Sequence, residues 1–293
     1  MREGHRRGGV GWLAVGLGVW LAGCAASRAR VTEADLTETL DAPGGQYHIR
    51  YAPSQAADAA RIQRAVDAAL PRLAQWGSLR EPVTLQVLPD HASLESAVRQ
   101  HGYAWLRAWS RYDEVFLQAP SSWGLANGTQ AQLDELLLHE LTHSLMYQLA
   151  ADRLGWSRKQ IPLWFREGMA SYTAEQGYRW VSLEEVARHL DRDPGSDPMR
   201  RPEPLYRDDS NLVYGMAHHA FTFLVRRYGV EAIQGLLREM KAGLEFPAAF
   251  TASLGLTPDA FARDFTRYVR LRGFRGGRLP PRAPERPAPP PES

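Results

Sequence analysis

The chain has 293 residues, of which 44% are hydrophobic and 23% are charged, and its formal net charge is +2. This composition is typical of an ordinary folded protein with enough apolar residues to form a core, and it excludes a disordered protein that is too polar to bury one. The small net charge, without a basic stripe interleaved with aromatic residues, excludes nucleic acid as the expected partner.

The first 23 residues differ in character from the rest of the chain. Three arginines precede an apolar stretch, residues 10–22, that is too short to span a bilayer as a stable helix. We therefore predict a signal peptide over residues 1–23. Although Arg6 and Arg7 hint at twin-arginine export, the residues that flank them do not fit that signal.

The last residues of this segment, Leu21-Ala22-Gly23-Cys24, resemble the lipobox of bacterial lipoproteins. The resemblance implies that Cys24 is lipidated, begins the mature chain and anchors it to a membrane of the bacterial cell envelope. An ordinary cleaved signal with a chance cysteine at its end is the alternative. Ala25 stands where an aspartate would suggest the inner membrane, so the resemblance favours the outer membrane, with the protein facing the periplasm. Because Cys24 is the only cysteine, the mature chain cannot form an internal disulfide.

Three segments follow the signal peptide. Residues 24–45 are polar and are predicted to be a tether, and the folded domain is predicted over residues 46–272. Residues 273–293 are rich in proline and arginine and predict a disordered tail that acts as a spacer.

The first half of the folded domain predicts a β-sheet with helices. Tyr47, Ile49 and Tyr51 alternate with polar residues, which is typical of a strand, and apolar residues between 62 and 73 recur at helical spacing. Strands are predicted at residues 46–51, 83–88 and 114–118, and helices at residues 56–76 and 93–101.

The second half of the domain is predicted to be helical. Leucines from Leu133 to Leu149 recur on one helical face, and Asn127-Gly128-Thr129 is the predicted start of this helix. Residues 191–209 contain four prolines and predict a long loop, of the kind that often acts as a lid. Further helices are predicted from Pro162 through residue 174 and at residues 182–190, 211–228, 230–242 and 258–272. The predicted fold class is α+β, an N-terminal mixed β-sheet with helices followed by a mostly helical C-terminal part.

The helix that begins near Thr129 contains an H-E-x-x-H motif, formed by His139, Glu140 and His143. Residues four apart lie on the same face of a helix, so both histidines can face one metal ion, for which Zn²⁺ is the natural candidate. A catalytic zinc site needs a third protein ligand and an open position for water, and Glu167 on the next helix is the candidate ligand. Glu140 is the candidate base that activates the zinc-bound water. The alternative for the motif is that its residues lie on a solvated face of the helix and bind no metal. The alternative for Glu167 is that it is an ordinary carboxylate near the start of a helix.

These residues, together with Trp164-Phe165-Arg166-Glu167-Gly168-Met169-Ala170, resemble the gluzincin zinc metallopeptidases of the peptidase-MA-like families. There, H-E-x-x-H is followed on a second helix by a W-x-x-E-G-x-A-like segment. The resemblance implies a zincin-like fold over residues 46–272, a zinc cofactor, and hydrolysis of a peptide or protein substrate at the cell envelope. It also implies a cleft beside a strand that pairs with an extended peptide, and residues 114–118 are the candidate strand. The competing hypothesis is a catalytically quiet zincin-fold lipoprotein that binds an envelope partner.

Two further roles are suggested by the resemblance. Ser171 stands where well-known gluzincins have an aspartate that orients a ligand histidine, and its hydroxyl can still accept a hydrogen bond from an imidazole. Tyr214 is the candidate donor of a hydrogen bond to the oxyanion that develops during hydrolysis.

Several other side chains are predicted to serve packing rather than chemistry. His218 and His219 are adjacent on a helix and point about 100° apart, so they cannot both face one ion. We predict that they are surface or packing residues. A substrate cleft is the alternative to packing for three tryptophans, Trp105, Trp109 and Trp123.

Overall fold

The computed structural model describes residues 32, 35–124, 128–193, 195–206 and 209–273. The predicted signal peptide, the predicted lipidation of Cys24 and the predicted tail beyond Gly273 lie outside the described residues, as does much of the predicted tether. Within the described part of the chain, no helix has the length and apolar character needed to cross a membrane.

The N-terminal part of the fold is one mixed sheet with the strand order β1-β2-β3-β5-β4. Its strands are β1 (Glu38–Asp41), β2 (Tyr47–Tyr51), β3 (Val83–Leu88), β4 (Ala108–Ser110) and β5 (Glu114–Gln118). The three central strands β2, β3 and β5 run parallel, and the edge strands β1 and β4 are antiparallel to their neighbours. Helices carry the chain between the parallel strands, since parallel pairing requires a long crossover.

The described part of the chain after the sheet is helical, so the predicted α+β fold class is confirmed. The helices are α1 (Ala56–Leu73), α2 (His91–Val98), α3 (Gln130–Ala150), α4 (Leu163–Thr173), α5 (Leu183–Arg192), α6 (Glu203–Tyr206), α7 (Ser210–Lys241), α8 (Phe246–Leu254) and α9 (Pro258–Gly273). The predicted boundary between residues 228 and 230 is a bend inside α7, where Gly229 has a φ of 82°.

Three short elements were not predicted from the sequence. The strand β1 lies inside the segment predicted to be a tether, and its mostly exposed residues show no alternation because pairing with β2 holds it in place. The strand β4 has three residues, too few to show a period, and α8 is a short helix of nine residues. The predicted loop over residues 191–209 also contains the single turn of α6.

The strand predicted to pair with a peptide, residues 114–118, cannot do so. It is β5, which lies between β3 and β4 and already pairs with both, so its backbone groups are engaged on both sides. The prediction was wrong because strand order in a sheet depends on tertiary pairing. The free edge on this side of the sheet belongs to β4.

The motif helix α3 lies at the centre of the fold. Thr129 caps its start, as predicted, through a reciprocal capping box with Gln132. One side of α3 packs on α1, which covers the sheet, and the other side contacts α4 and α7. Since α3 is surrounded by other elements, its polar motif residues are held in the interior.

A close approach of α4 and α7 positions the residue that follows Glu167 in the sequence. A Cβ atom on Gly168 would lie 2.5 Å from the carbonyl oxygen of Ala217 and 2.6 Å from Cβ of Phe221. Only glycine allows the two helices to pack this tightly. The glycine of the E-G-x-A segment therefore sets the position of α4, which carries Glu167, against the helical half of the fold.

Candidate metal centre

Two neighbouring helices bring three potential ligands together. His139 and His143 are one turn apart on α3, and Glu167 reaches them from α4. The Nε2 atoms of the two histidines are 3.2 Å apart. Oε2 of Glu167 lies 3.4 Å from Nε2 of His139 and 3.6 Å from Nε2 of His143. The three atoms thus form a nearly equilateral triangle.

This triangle matches the demands of zinc. A tetrahedral ion with bonds of about 2.0 to 2.1 Å separates its ligand atoms by about 3.3 Å. The observed separations of 3.2, 3.4 and 3.6 Å bracket that distance. Two imidazole nitrogens and a carboxylate oxygen are also a donor set that zinc prefers, so these residues fit a zinc ion.

The electrostatics of the cluster favour a cation. Burial alone raises the pKa of Glu167, but the charge of His143 and hydrogen bonds from both histidines outweigh burial and hold that pKa far below its usual value. Burial lowers the pKa of His139, whereas the hydrogen bond to Glu167 and the charge of Glu140 raise it, with a net increase. The carboxylates therefore favour positive charge at this position, which a bound metal ion would supply.

A buried glutamine orients the first histidine. Nδ1 of His139 donates a hydrogen bond to Oε1 of Gln176 over 2.9 Å, and only 7% of Gln176 is exposed. Because an amide oxygen only accepts, Nδ1 carries the proton and Nε2 keeps its lone pair for a metal. Sequence reasoning missed Gln176, which lies in a short 3₁₀ turn after α4 with no helical or strand period.

Ser171, which stands where the resemblance suggests an orienting residue, contacts a different histidine. Its hydroxyl lies 2.9 Å from Nδ1 of His218 and accepts a hydrogen bond of 2.8 Å from Nε1 of Trp180. Although the resemblance places Ser171 where an orienting aspartate stands, its side chain contacts His218 because the tertiary packing of α4 turns it towards α7.

The candidate base Glu140 is held by the edge strand. Its residue is 8% exposed, and its Oε2 accepts a hydrogen bond of 2.6 Å from the hydroxyl of Ser110 in β4. That hydroxyl also lies 3.0 Å from the backbone oxygen of Glu140. Ser110 was not identified from the sequence, since neither β4 nor its place beside α3 was predicted. A hydrogen bond therefore links the edge strand β4 to the candidate base.

The hydroxyl of Tyr214 pairs with a second tyrosine. It lies 3.0 Å from the hydroxyl of Tyr206 in α6, and the ring of Tyr214 stacks on Trp180 at 4.9 Å. Burial, then the charge of Glu167, raises the pKa of Tyr214 well above its usual value, so the phenol keeps its proton. Its role as oxyanion donor stays a prediction. Tyr206 is a second phenol, which lies within the predicted loop over residues 191–209 and was not singled out from the sequence.

The predicted packing tryptophans divide into two groups. Trp123 is buried and donates a hydrogen bond of 3.0 Å to the backbone of Gln118, and Trp109 packs against a small apolar cluster. Packing is confirmed for these two. Trp105 is 43% exposed, and its ring centroid lies 6.0 Å from the ring centroids of Tyr206 and Tyr214. Trp105 therefore packs beside the two phenols.

The adjacent histidines of α7 are packing residues, as predicted. His219 Nε2 lies 2.9 Å from the backbone oxygen of Val181, and His218 contacts Ser171. Burial, reinforced by the charges of His219 and Arg226, lowers the pKa of His218 to about 4. His218 is therefore neutral at pH 7.

No protein-family model matches the sequence, and no curated protein matches it. Among solved structures, the chain is similar to the M1 zinc metallopeptidase from Deinococcus radiodurans, with 19% identity, a TM-score of 0.40, and coverage of 84% of this chain and 53% of that chain. A glutamate-to-alanine mutant of that enzyme gives 17% identity, a TM-score of 0.39 and the same coverage. The same mutant bound to a Tyr-Ser-Ala substrate gives 16% identity, a TM-score of 0.38, and coverage of 84% and 52%. The chain spans about half the length of these enzymes, and the likeness is too distant to assign a family.

Proposed function

We propose that this chain is a zinc-dependent peptidase. The single observation that carries the proposal is the triangle of ligand atoms of His139, His143 and Glu167, whose sides of 3.2, 3.4 and 3.6 Å suit a tetrahedral zinc ion. Glu140, buried beside the triangle, favours catalysis over a purely structural ion. A structural zinc site would need a fourth protein ligand, and the group in the described part of the chain has three members.

Each residue has a defined task in hydrolysis. His139, His143 and Glu167 hold the ion, and Gln176 keeps His139 in the tautomer that binds it. Bound zinc lowers the pKa of a water molecule towards about 7 and polarises the scissile carbonyl. Glu140 accepts a proton as the water oxygen attacks the carbonyl carbon. It then delivers the proton to the leaving amine as the carbon–nitrogen bond breaks.

Two other features support a peptide as the substrate. The free edge of β4 offers backbone donors and acceptors to an extended chain, and Ser110 of that strand contacts the base directly. The protonated hydroxyl of Tyr214 can donate a hydrogen bond to the carbonyl oxygen as negative charge develops there. We assign the oxyanion role to Tyr214, with its partner Tyr206 orienting it.

We also propose that the peptidase acts at the bacterial cell envelope. Support comes from the apolar N-terminal segment and the lipobox-like end at Cys24, where acyl chains would anchor the protein to the outer membrane facing the periplasm. Metabolic labelling with a fatty-acid analogue tests this, because a Cys24→Ser variant would lose the label. Retention of the label would refute lipidation at Cys24.

The enzymatic proposal is tested with the purified chain. Its zinc content is measured, and cleavage of casein or of a peptide library is compared for wild type and Glu140→Gln. Glu184→Gln is the matched control, because Glu184 is a partly exposed glutamate on α5 that pairs with Arg188. We expect about one zinc per chain, cleavage by wild type and the control, and no cleavage by Glu140→Gln.

The other outcomes are equally informative. Stoichiometric zinc without any cleavage that depends on Glu140 would favour the quiet scaffold that binds an envelope partner. Absence of bound metal, together with unchanged zinc uptake in His139→Ala, would overturn both forms of the metal-site proposal.

A further inference from the structure

An arginine beside the candidate metal centre has a buried donor without a partner in the described part of the chain. Arg166 precedes Glu167 on α4, and its side chain forms no ion pair with any carboxylate in the described part of the chain. Its one hydrogen bond there, from Nη1 to the hydroxyl of Tyr147, is long at 3.4 Å. Its Nε is fully buried and donates to no described group. One of the five donors of this guanidinium, Nε–H, is thus buried without a partner among the described residues.

Another arginine of the chain, Arg179, is paired with a carboxylate. Nε of Arg179 lies 2.5 Å from a carboxylate oxygen of Glu135, one turn before His139 on α3. Burial lowers the pKa of Arg166, whereas the neighbouring Tyr147 and the charge of Glu167 raise it, with a net increase. No carboxylate of the described residues is paired with this guanidinium, so its buried Nε–H is available to an anion from outside the described chain.

The arginine lies close to the candidate metal centre. Tyr147, its hydrogen-bond partner, stacks on the ring of the ligand His143 at 6.3 Å. Burial and the charge of Glu167 raise the pKa of Tyr206, and the guanidinium of Arg166 opposes that rise, so Arg166 lies near this phenol too. The hydrogen-bond partner of Arg166 thus adjoins a candidate ligand histidine, and the charge of Arg166 acts on Tyr206, which contacts Tyr214.

The net charge of the site also favours an anionic ligand. With zinc bound, the dication and Arg166 together outweigh the carboxylates of Glu140 and Glu167, which leaves the site formally positive. A guanidinium presents two parallel N–H groups that match the two oxygens of a carboxylate. A peptide carries such a group at its C-terminus and on its acidic side chains.

We propose that Arg166 binds a carboxylate of the peptide substrate next to the metal centre and so determines specificity. The proposal rests on the proposed peptidase function. The carboxylate comes either from the C-terminus, which makes the enzyme a carboxypeptidase-like exopeptidase, or from an Asp or Glu side chain near the scissile bond. If Arg166 only supported Tyr147, its replacement would change the stability of the fold but not the preference between charged and neutral substrates.

Cleavage of matched peptides tests the assignment. The two peptides of the first pair, taken from a short-peptide library, have the same sequence, but one has a free C-terminus and the other an amidated C-terminus. Both peptides of the second pair are amidated, and they differ only in having Glu or Gln at one position. We expect wild type to prefer the charged member of one pair, and this preference identifies the source of the carboxylate. In Arg166→Gln, kcat/KM for the charged peptide should fall roughly 10- to 100-fold, with little change for the neutral peptide.

Two controls separate specificity from folding. Arg72→Gln removes a partly exposed arginine paired with Glu175 and should leave the preference intact. Arg166→Lys keeps the charge but loses the paired donors, so it should recover only part of the preference. An Arg166→Gln variant that still prefers the charged peptide, or a wild type without preference in either pair, would overturn the assignment.

A binding assay separates this proposal from the peptidase proposal. Zinc-loaded Glu140→Gln, with and without Arg166→Gln, is titrated by calorimetry with four tripeptides: Phe-Ala-Ala as acid and amide, and the amides of Phe-Glu-Ala and Phe-Gln-Ala. We expect the charged member of one pair to bind roughly 10- to 100-fold more tightly only when Arg166 is present. That result without any cleavage by wild type would reject the peptidase and keep the carboxylate site. Equal Kd values within both pairs would reject the carboxylate site.

Discussion

Replacing Gln176 with leucine tests how the metal centre is organised. The substitution keeps a side chain of similar size but removes the acceptor 2.9 Å from Nδ1 of His139. Because Gln176 is only 7% exposed, bulk water cannot easily take its place. A buried donor left without a partner is unfavourable by about 1 to 3 kcal/mol, and each 1.4 kcal/mol corresponds to a factor of ten. We therefore expect zinc affinity to fall by about 10- to 100-fold, as is typical for groups that orient a ligand histidine.

Competition with a fluorescent zinc chelator measures this loss directly. The control is Gln176→Glu, which keeps an acceptor for His139 and should bind zinc at least as tightly as wild type. Circular dichroism of both variants confirms that the fold is retained. If Gln176→Leu binds zinc with wild-type affinity, the hydrogen bond to Gln176 does not position His139 for the metal.

Three further predictions follow from the same contacts. Ser110→Ala should lower kcat by roughly tenfold with zinc content unchanged, since the hydrogen bond that positions Glu140 is lost. Gly168→Ala should lower the free energy of unfolding, measured with urea, by about 2 kcal/mol, because its Cβ would lie 2.5 Å from a backbone oxygen of α7. Gly235→Ala, whose Cβ meets nothing closer than 3.8 Å, should instead raise it by about 1 kcal/mol. His218, with a pKa of about 4 in the fold and about 6.5 when unfolded, binds more protons in the unfolded state between these values. The free energy of unfolding of wild type should therefore fall as pH drops from about 6.5 to 4, by up to about 3 kcal/mol more than that of His218→Gln.

Each of these predictions has a contrary result. An unchanged kcat in Ser110→Ala would show that Glu140 is positioned by other groups. Equal effects of alanine at Gly168 and Gly235 would show that α4 and α7 can separate without loss of stability. Parallel stability curves for wild type and His218→Gln between pH 4 and 6.5 would show that His218 takes up its proton within the fold.

The periodic parts of the fold could be predicted from the sequence. The strands β3 and β5 have the predicted boundaries, residues 83–88 and 114–118, because apolar β-branched runs between turn residues are local signals. The start of α3 was predicted from the capping residue Thr129. The edge strands β1 and β4 could not be predicted, since each is held by pairing with one neighbour rather than by its own pattern.

The candidate site divides in the same way. Within one helix, the spacing of four residues places His139 and His143 on one face, so these two ligands follow from backbone geometry alone. Glu167 was predicted from a second local segment through its resemblance to a family motif. Gln176 and Ser110 lie in a 3₁₀ turn and a three-residue strand, and nothing in their own neighbourhood marks them as parts of a site.

The sequence by itself determined the helical spacing of the two histidines, the identity of the candidate base and the α+β order of elements. Tertiary structure alone decided that Ser171 contacts His218 rather than a ligand, and that β4 rather than β5 has the free edge. It also decided that Arg166 is paired with no carboxylate among the described residues. The physical reason is the range of the interactions. Periodicity and capping act within a few residues of chain, whereas strand order, the orientation of ligands and the pairing of charges depend on segments that meet only when the domain has folded.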